Sequence, residues 1–152
     1  MNLAEALEAI ADALDPVDGL DAHPWRMTTV VAGTNDVAAV ALDRAEDLEY
    51  QHAMSGGLTR IAFEIELNVQ ASDDAAAYGR MLELLSAGAG EDRSVIDAVD
   101  AARRADRALD PPGPLAGLVI VDGTTPVFTE PTTGTPRLLV TVLRGWLPLP
   151  RT

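Results

Sequence analysis

Apolar residues recur at helical spacing from the start of the chain: Leu3, Leu7, Ile10 and Leu14, with Glu5, Glu8 and Asp12 on the remaining face. Positions about 3.6 residues apart share one side of a helix, so this spacing predicts an amphipathic first helix of about three turns. Asp15-Pro16 ends it, because a residue before proline is driven out of the α region, and Asp18-Gly19 predicts a turn. Residues 28–32 are a β-branched run and predict a strand. A turn at Gly33-Thr34-Asn35-Asp36 precedes a second strand over 37–42. The acidic stretch 43–47 is expected to be exposed, and 48–52 reads as a strand extension or a loop before the break at Ser55-Gly56-Gly57.

The sharpest alternation covers 60–71. Ile61, Phe63, Ile65, Leu67 and Val69 alternate with Arg60, Ala62, Glu64, Glu66, Asn68 and Gln70. A period of two with one apolar face predicts a half-buried strand of an antiparallel sheet, whose polar face is expected to be wet. Ser72-Asp73-Asp74 then caps a helix with Tyr78, Met81, Leu82 and Leu85 as its apolar stripe. Gly79 in its middle costs about 1 kcal/mol against alanine, which suggests a packing reason. Gly88-Ala89-Gly90 ends this helix. Ser94 with Asp97 resembles a capping box for another, bearing Val95, Ala98, Val99 and Ala102, with Arg103, Arg104 and Arg107 at the end where positive charge suits the helix dipole. Beyond the stiff break from Asp110 to Pro114, residues 115–121 predict a strand, 122–136 a long hairpin-like connection, and 137–147 the last strand, stopped by Pro148 and Pro150. The order is helix, strands, two helices, strands. It predicts a single α+β domain, a mostly antiparallel sheet packed with two to three helices, and no alternating βαβ series.

Composition narrows the chemistry. The 152 residues are 47% hydrophobic and 23% charged, a globular balance, and a chain of this length buries about 68–70% of its unfolded surface. No apolar run approaches the roughly 18 residues of a membrane span, so no membrane partner is expected. The start lacks a basic signal-like region, and the expectation is a chain that folds where it is made. There is no cysteine, which excludes disulfides, thiol nucleophiles and cysteine metal sites. All 11 basic residues are arginine, which with the many alanines suggests a GC-rich genome. Against 24 acids they give a net charge of −13, the wrong sign for a phosphate-backbone binder.

Candidate catalytic residues are sparse. His23 and His52 show no metal-ligand spacing and read as ordinary surface or interface side chains. No serine lies in a G-x-S-x-G elbow, since Ser55 belongs to a turn and Ser72 and Ser94 to helix caps. Neither glycine-rich stretch precedes a Lys-Ser/Thr pair, so a P-loop is excluded. Glu64 and Glu66 share a strand face, but acid–base work would need a pocket that shifts them, and a solvated face explains them first. The expectation is no catalytic, cofactor or metal site. The candidate interface residues are Trp25, Arg26, Glu64, Glu66, Arg137, Arg144 and Trp146. The two tryptophans sit beside arginine or proline near strand ends, where core-edge packing and interface anchoring both account for them. After Glu130 the chain has no acid but carries Arg137, Arg144 and Arg151, an asymmetry that points to self-assembly.

A family resemblance rests on several strings in this order. A short helix over 3–14 precedes Thr28-Thr29-Val30-Val31. The alternating strand from Ile61 to Val69 runs into Ser72-Asp73-Asp74-Ala75-Ala76 and a helix ending Leu84-Leu85. Ser94-Val95 opens another helix, Asp106-Arg107-Ala108-Leu109 closes that region, and a final strand pair ends at Leu147. Together they resemble the tail-terminator and head–tail joining proteins of long-tailed, siphovirus-type phages of actinobacteria. The resemblance implies a structural virion protein made in the host bacterial cytoplasm and placed at the tail–neck junction. It implies a homo-hexameric ring that caps the major tail tube protein, receives the neck or head-completion protein and lets DNA pass through its lumen without specific binding. A neighbouring neck adaptor is the alternative within that reading. A small acidic binding module and a carboxylate enzyme are the alternatives outside it.

Overall fold

Helix α1 (Leu3–Asp12) starts where its sequence supplies a complete capping box. The Glu5 N–H donates to Asn2 Oδ1 at 2.8 Å and the Asn2 N–H donates to Glu5 Oε2 at 2.9 Å, so two otherwise orphaned donors are satisfied reciprocally. Ile10 and Leu14 are fully buried, while Leu3 and Leu7 flank the core. The computed structural model describes residues 2–25, 35–44, 49–50, 58–70, 72–131 and 137–148. After α1 come β1 (Leu20–His23), β2 (Asp36–Leu42), β3 (Glu49–Tyr50), β4 (Leu58–Gln70), α2 (Asp74–Leu85), α3 (Val95–Arg107), β5 (Val119–Gly123), β6 (Val127–Phe128) and β7 (Leu138–Pro148).

The seven strands form one mixed sheet in the order β1-β2-β4-β7-β5, with β3 on the β2 side of β4 and β6 on β7. Among the described residues only β1 and β2 run parallel; the other pairs are antiparallel. The expected α+β class is the class observed, with three helices among the described residues. At the centre, β4 pairs with β2 from Phe63 to Asn68 and with β7 from Arg60 to Gln70. Its odd residues Ile61, Phe63, Ile65 and Leu67 are fully buried and meet Ile10, Met81, Leu84, Val95 and Ala98 of the three helices in one core. Burying each large side chain contributes about 1.5–3 kcal/mol.

Several expectations are corrected. The even face of β4 is not wet: Glu64 is 4% and Asn68 3% exposed, with Ala62 also buried and Glu66 half-buried. A strand flanked on both sides loses solvent to its neighbours' side chains: Trp146 stands opposite Ala62, Arg44 and Arg144 beside Glu64, and Val37 and Val140 opposite Asn68. Asp43 is likewise buried, and its N–H donates to the Ala62 carbonyl at 3.0 Å. The expected strand over 28–32 lies outside the described residues, as does the break at 55–57. The first described strand is β1, just after the turn at Asp18-Gly19, where the sequence offers no strand signal. β5 begins only at Val119, because Leu115 and Leu118 reach the core from turns, and the connection 122–136 holds the short strand β6.

In α2 the buried stripe is Ala77, Met81 and Leu84, one position round from the predicted face, which leaves Tyr78 and Leu82 exposed at 38% and 52%. Gly79 lies on the exposed side, and a Cβ there meets nothing within 4 Å, so it has no packing role. Gly79→Ala is expected to stabilise the protein by about 1 kcal/mol, raising the melting temperature by about 2–4 °C in a thermal scan.

Between α2 and α3 the caps interlock. Buried Ser94 accepts from the Asp97 N–H at 3.3 Å and donates to the Leu84 carbonyl at 3.4 Å, joining the end of α2 to the start of α3. Asp97 does not complete the reciprocal box. Its carboxylate accepts instead from the Gly88 and Gly90 N–H groups, at 2.9 and 2.7 Å, in a loop where both glycines have positive φ. Those main-chain donors hold the Asp97 carboxyl below its ordinary value of 3.8. A depressed folded-state value adds stability above the unfolded value and loses it as pH falls through the folded one. Asp97→Asn is therefore expected to be less stable than the parent at neutral pH. The gap should be full above about pH 5 and close below the ordinary carboxylate value, as measured by denaturant titration at successive pH values.

Candidate functional site

The second face of the sheet, opposite the helices, carries a row of alternating charge across four strands. Arg44, just past β2, reaches Glu64 of β4 at 3.5 Å. Glu64 stands opposite Arg144 of β7 in register, and Arg144 Nε donates to Asp122 of β5 at 2.9 Å. Antiparallel pairing makes this row, because directly opposite residues share a face at close spacing. Beside it, the Arg60 guanidinium lies 3.8 Å over the Trp146 ring. A cleft of about 110 Å³ opens here, lined by Asp43, Asp122, Arg144 and Trp146. In this row each carboxylate faces a guanidinium, so it is a compensated polar surface and Glu64 is not a bare acid.

Three of the candidate interface residues thus come together: Glu64, Arg144 and Trp146. Glu66 shares their face two positions along β4. Arg137 lies elsewhere. It pairs with Asp74 at 2.6 Å and sits 4.3 Å over the Phe128 ring, tying the start of β7 to the first turn of α2. Trp25 is 57% exposed beyond β1, its ring 5.1 Å from that of His23. Arg26 lies outside the described residues, as does His52. Sequence reading missed Arg44, Asp43 and Asp122, whose roles depend on register between distant segments. Arg60 alone was visible, as the first polar position of the alternating strand. Among the described residues, no three His, Asp or Glu side chains are grouped to hold a metal ion, and no helix is long and apolar enough to cross a membrane.

The two ends of the sheet differ in charge. At one end stands β1, with α1 packed over β1 and β2. Glu5, Glu8, Asp12, Asp15, Asp18 and Asp21 are all exposed there, and residues 2–25 contain no arginine. At the other end β5 presents Val119 at 47% and Val121 at 58% exposure. Alongside β5 runs α3: Ile96 and Val99 share a groove of about 160 Å³ with Leu118 and Ile120, and Arg107 Nε donates to the Ala116 carbonyl at 2.8 Å. Arg103 and Arg104 both pair with Asp100, and Asp106 and Asp122 stand near the same three arginines, so the charge of this edge is mixed. The chain matches no protein-family model and no curated protein sequence.

Proposed function

We propose that this chain is a structural ring subunit of the tail-terminator kind, capping a phage tail tube and joining it to the neck, with DNA passing through its centre. The observation that carries the reading is a sheet ending in two strands, each paired on one side only among the described residues, one edge acidic and the other of mixed charge. Such edges are templates for pairing between chains. Two different edges make a head-to-tail contact, and repeating that contact closes a ring when its rotation divides the circle. The net charge of −13 fits a lumen that DNA crosses without adhering, because like charges repel. The paired charges of the Glu64 row fit a docking surface better than a lumen lining, since a compensated row meets a partner without leaving a buried charge unpaired. In this reading the chain is not an enzyme and needs no cofactor.

The test is electron microscopy of purified protein mixed with isolated tail tubes and, separately, with tailless heads. Six-fold rings at one tube end are the expected result. Decoration of the head portal without binding to tubes would move the assignment to a neck adaptor. No binding to either would overturn both.

A further inference from the structure

We propose that the free edge of β5 receives β1 of a second copy of this chain, so that the sheet continues from subunit to subunit. The inference rests on the assembly reading above and specifies the contact it requires. Three features carry it. Exposed Val119 and Val121 lie on an edge strand with no pairing partner on its outer side among the described residues, a combination that invites strand addition. Charge favours this occupant: the β5 edge is mixed, with Arg103, Arg104 and Arg107 among Asp100, Asp106 and Asp122, whereas the β1 edge carries Asp12, Asp15, Asp18 and Asp21, on α1, on its turn into β1 and on β1 itself, with no arginine among residues 2–25. In both edges the helix lies on the same side of the sheet, so a continuous sheet brings α3 of one copy towards α1 of the next, arginines facing carboxylates.

The other face of the sheet also matches. His23 pairs in register with Ala39, and Ala39 with Glu66, which places His23 on the second face together with the ring of Trp25 stacked on it. Val119 pairs with Trp146 on that same face. A β1 edge laid beside β5 therefore sets the exposed Trp25 ring, with half-buried His23 against it, on the face that carries Val119 and one strand from Trp146, an aromatic anchor of the kind that dominates interface energetics. Two copies of the β1 edge would instead face acid to acid, and like charges brought together disfavour the contact. The contact is thus directional, and its association weakens as salt is raised.

The experiment uses the full chain and light scattering over a concentration series, with two variants. V119D/V121D adds acid to the β5 edge and leaves β1 untouched. D15R/W25A changes the β1 edge and leaves β5 untouched. All four positions are exposed, and circular dichroism checks that both variants fold. Expected results are assembly of the parent, loss of about a hundredfold or more in association constant for each variant alone, and a discrete heterodimer when the variants are mixed, because each retains the edge the other lacks. A parent that assembles together with a V119D/V121D variant that assembles equally well would overturn this contact and leave the ring reading standing. A parent that stays monomeric throughout would also overturn it, while the imaging of tube ends decides the tail reading separately.

Discussion

Gly145→Ala is expected to destabilise the protein by about 3 kcal/mol, the upper end of the usual range for overpacking. A Cβ at this position would collide with the Val119 carbonyl oxygen and lie 2.7 Å from Cζ of Phe63. Both neighbours are constrained. Phe63 is fully buried on the central strand, and Val119 belongs to β5, held on β7 by the pairing of Ile120 with Gly145. The ring of Phe63 occupies the volume a side chain at 145 would need, so glycine and phenylalanine act here as one unit across two strands. Relief requires β5 to move off β7 or the core to shift, and β5 moves more easily because it is the edge. Denaturant unfolding should therefore show a lower midpoint, and amide exchange should show faster exchange in β5 than in β4. The double variant Phe63→Leu/Gly145→Ala should recover only part of the loss, because the carbonyl of Val119 remains in the way. An unchanged midpoint for Gly145→Ala would show that the β5–β7 pair has slack the close approach denies.

That glycine illustrates what the sequence could and could not tell. Strand β4 was legible because strict alternation of apolar and polar residues matches the pleat of a strand and no helical period. Helices α1 and α3 were legible because their apolar residues keep the helical period over about three turns. Ser94 and Asp97 announced the start of α3, although the carboxylate serves the preceding loop. The face of α2 was misplaced by one position. Ala77 carries little apolar signal, whereas Tyr78 and Leu82 carry much, and the period of a helix does not say which of two adjoining stripes faces inward. β1 had no strand signature in Leu20-Asp21-Ala22-His23; it is a strand because β2 offers it a ladder, and such a cause lies outside the segment. The same holds for the surface site. Glu64, Arg144 and Trp146 could each be singled out, but the row that joins them with Arg44 and Asp122 is a property of register among β2, β4, β7 and β5. Burial of Glu64 follows from that register as well, which is why alternation alone predicts a wet face.

Arg80→Ala is expected to cost about 2–3 kcal/mol, the scale of hydrogen bonds made by a charged group away from water. Arg80 ties three segments together from the middle of α2. Its Nε donates to Asp36 Oδ2 at 3.3 Å, at the first residue of β2; its Nη2 donates to the Asp18 carbonyl in the turn before β1; and Nη1 lies 3.6 Å from Glu83. The Arg80 and Asp36 side chains are only 23% and 18% exposed, so solvent screens the pair less than it screens a surface one. Asp36 is itself committed, accepting from the Gln70 N–H at the end of β4 at 3.2 Å. Loss of Arg80 thus strands a half-buried carboxylate at the corner where α2, β2 and β4 meet, and frees the turn that leads into the β1 edge. Lysine should restore only part of the loss, because one ammonium cannot hold the diverging acceptors that a guanidinium fork spans. A double-mutant cycle of Arg80→Met with Asp36→Asn isolates the pair, since methionine keeps much of the apolar stem and asparagine keeps an acceptor for Gln70. A coupling energy of about 1–2 kcal/mol is expected for such a shielded contact. A coupling near zero would mean that Arg80 acts through the Asp18 carbonyl and Glu83, and Asp36→Asn would then cost the same with or without the arginine.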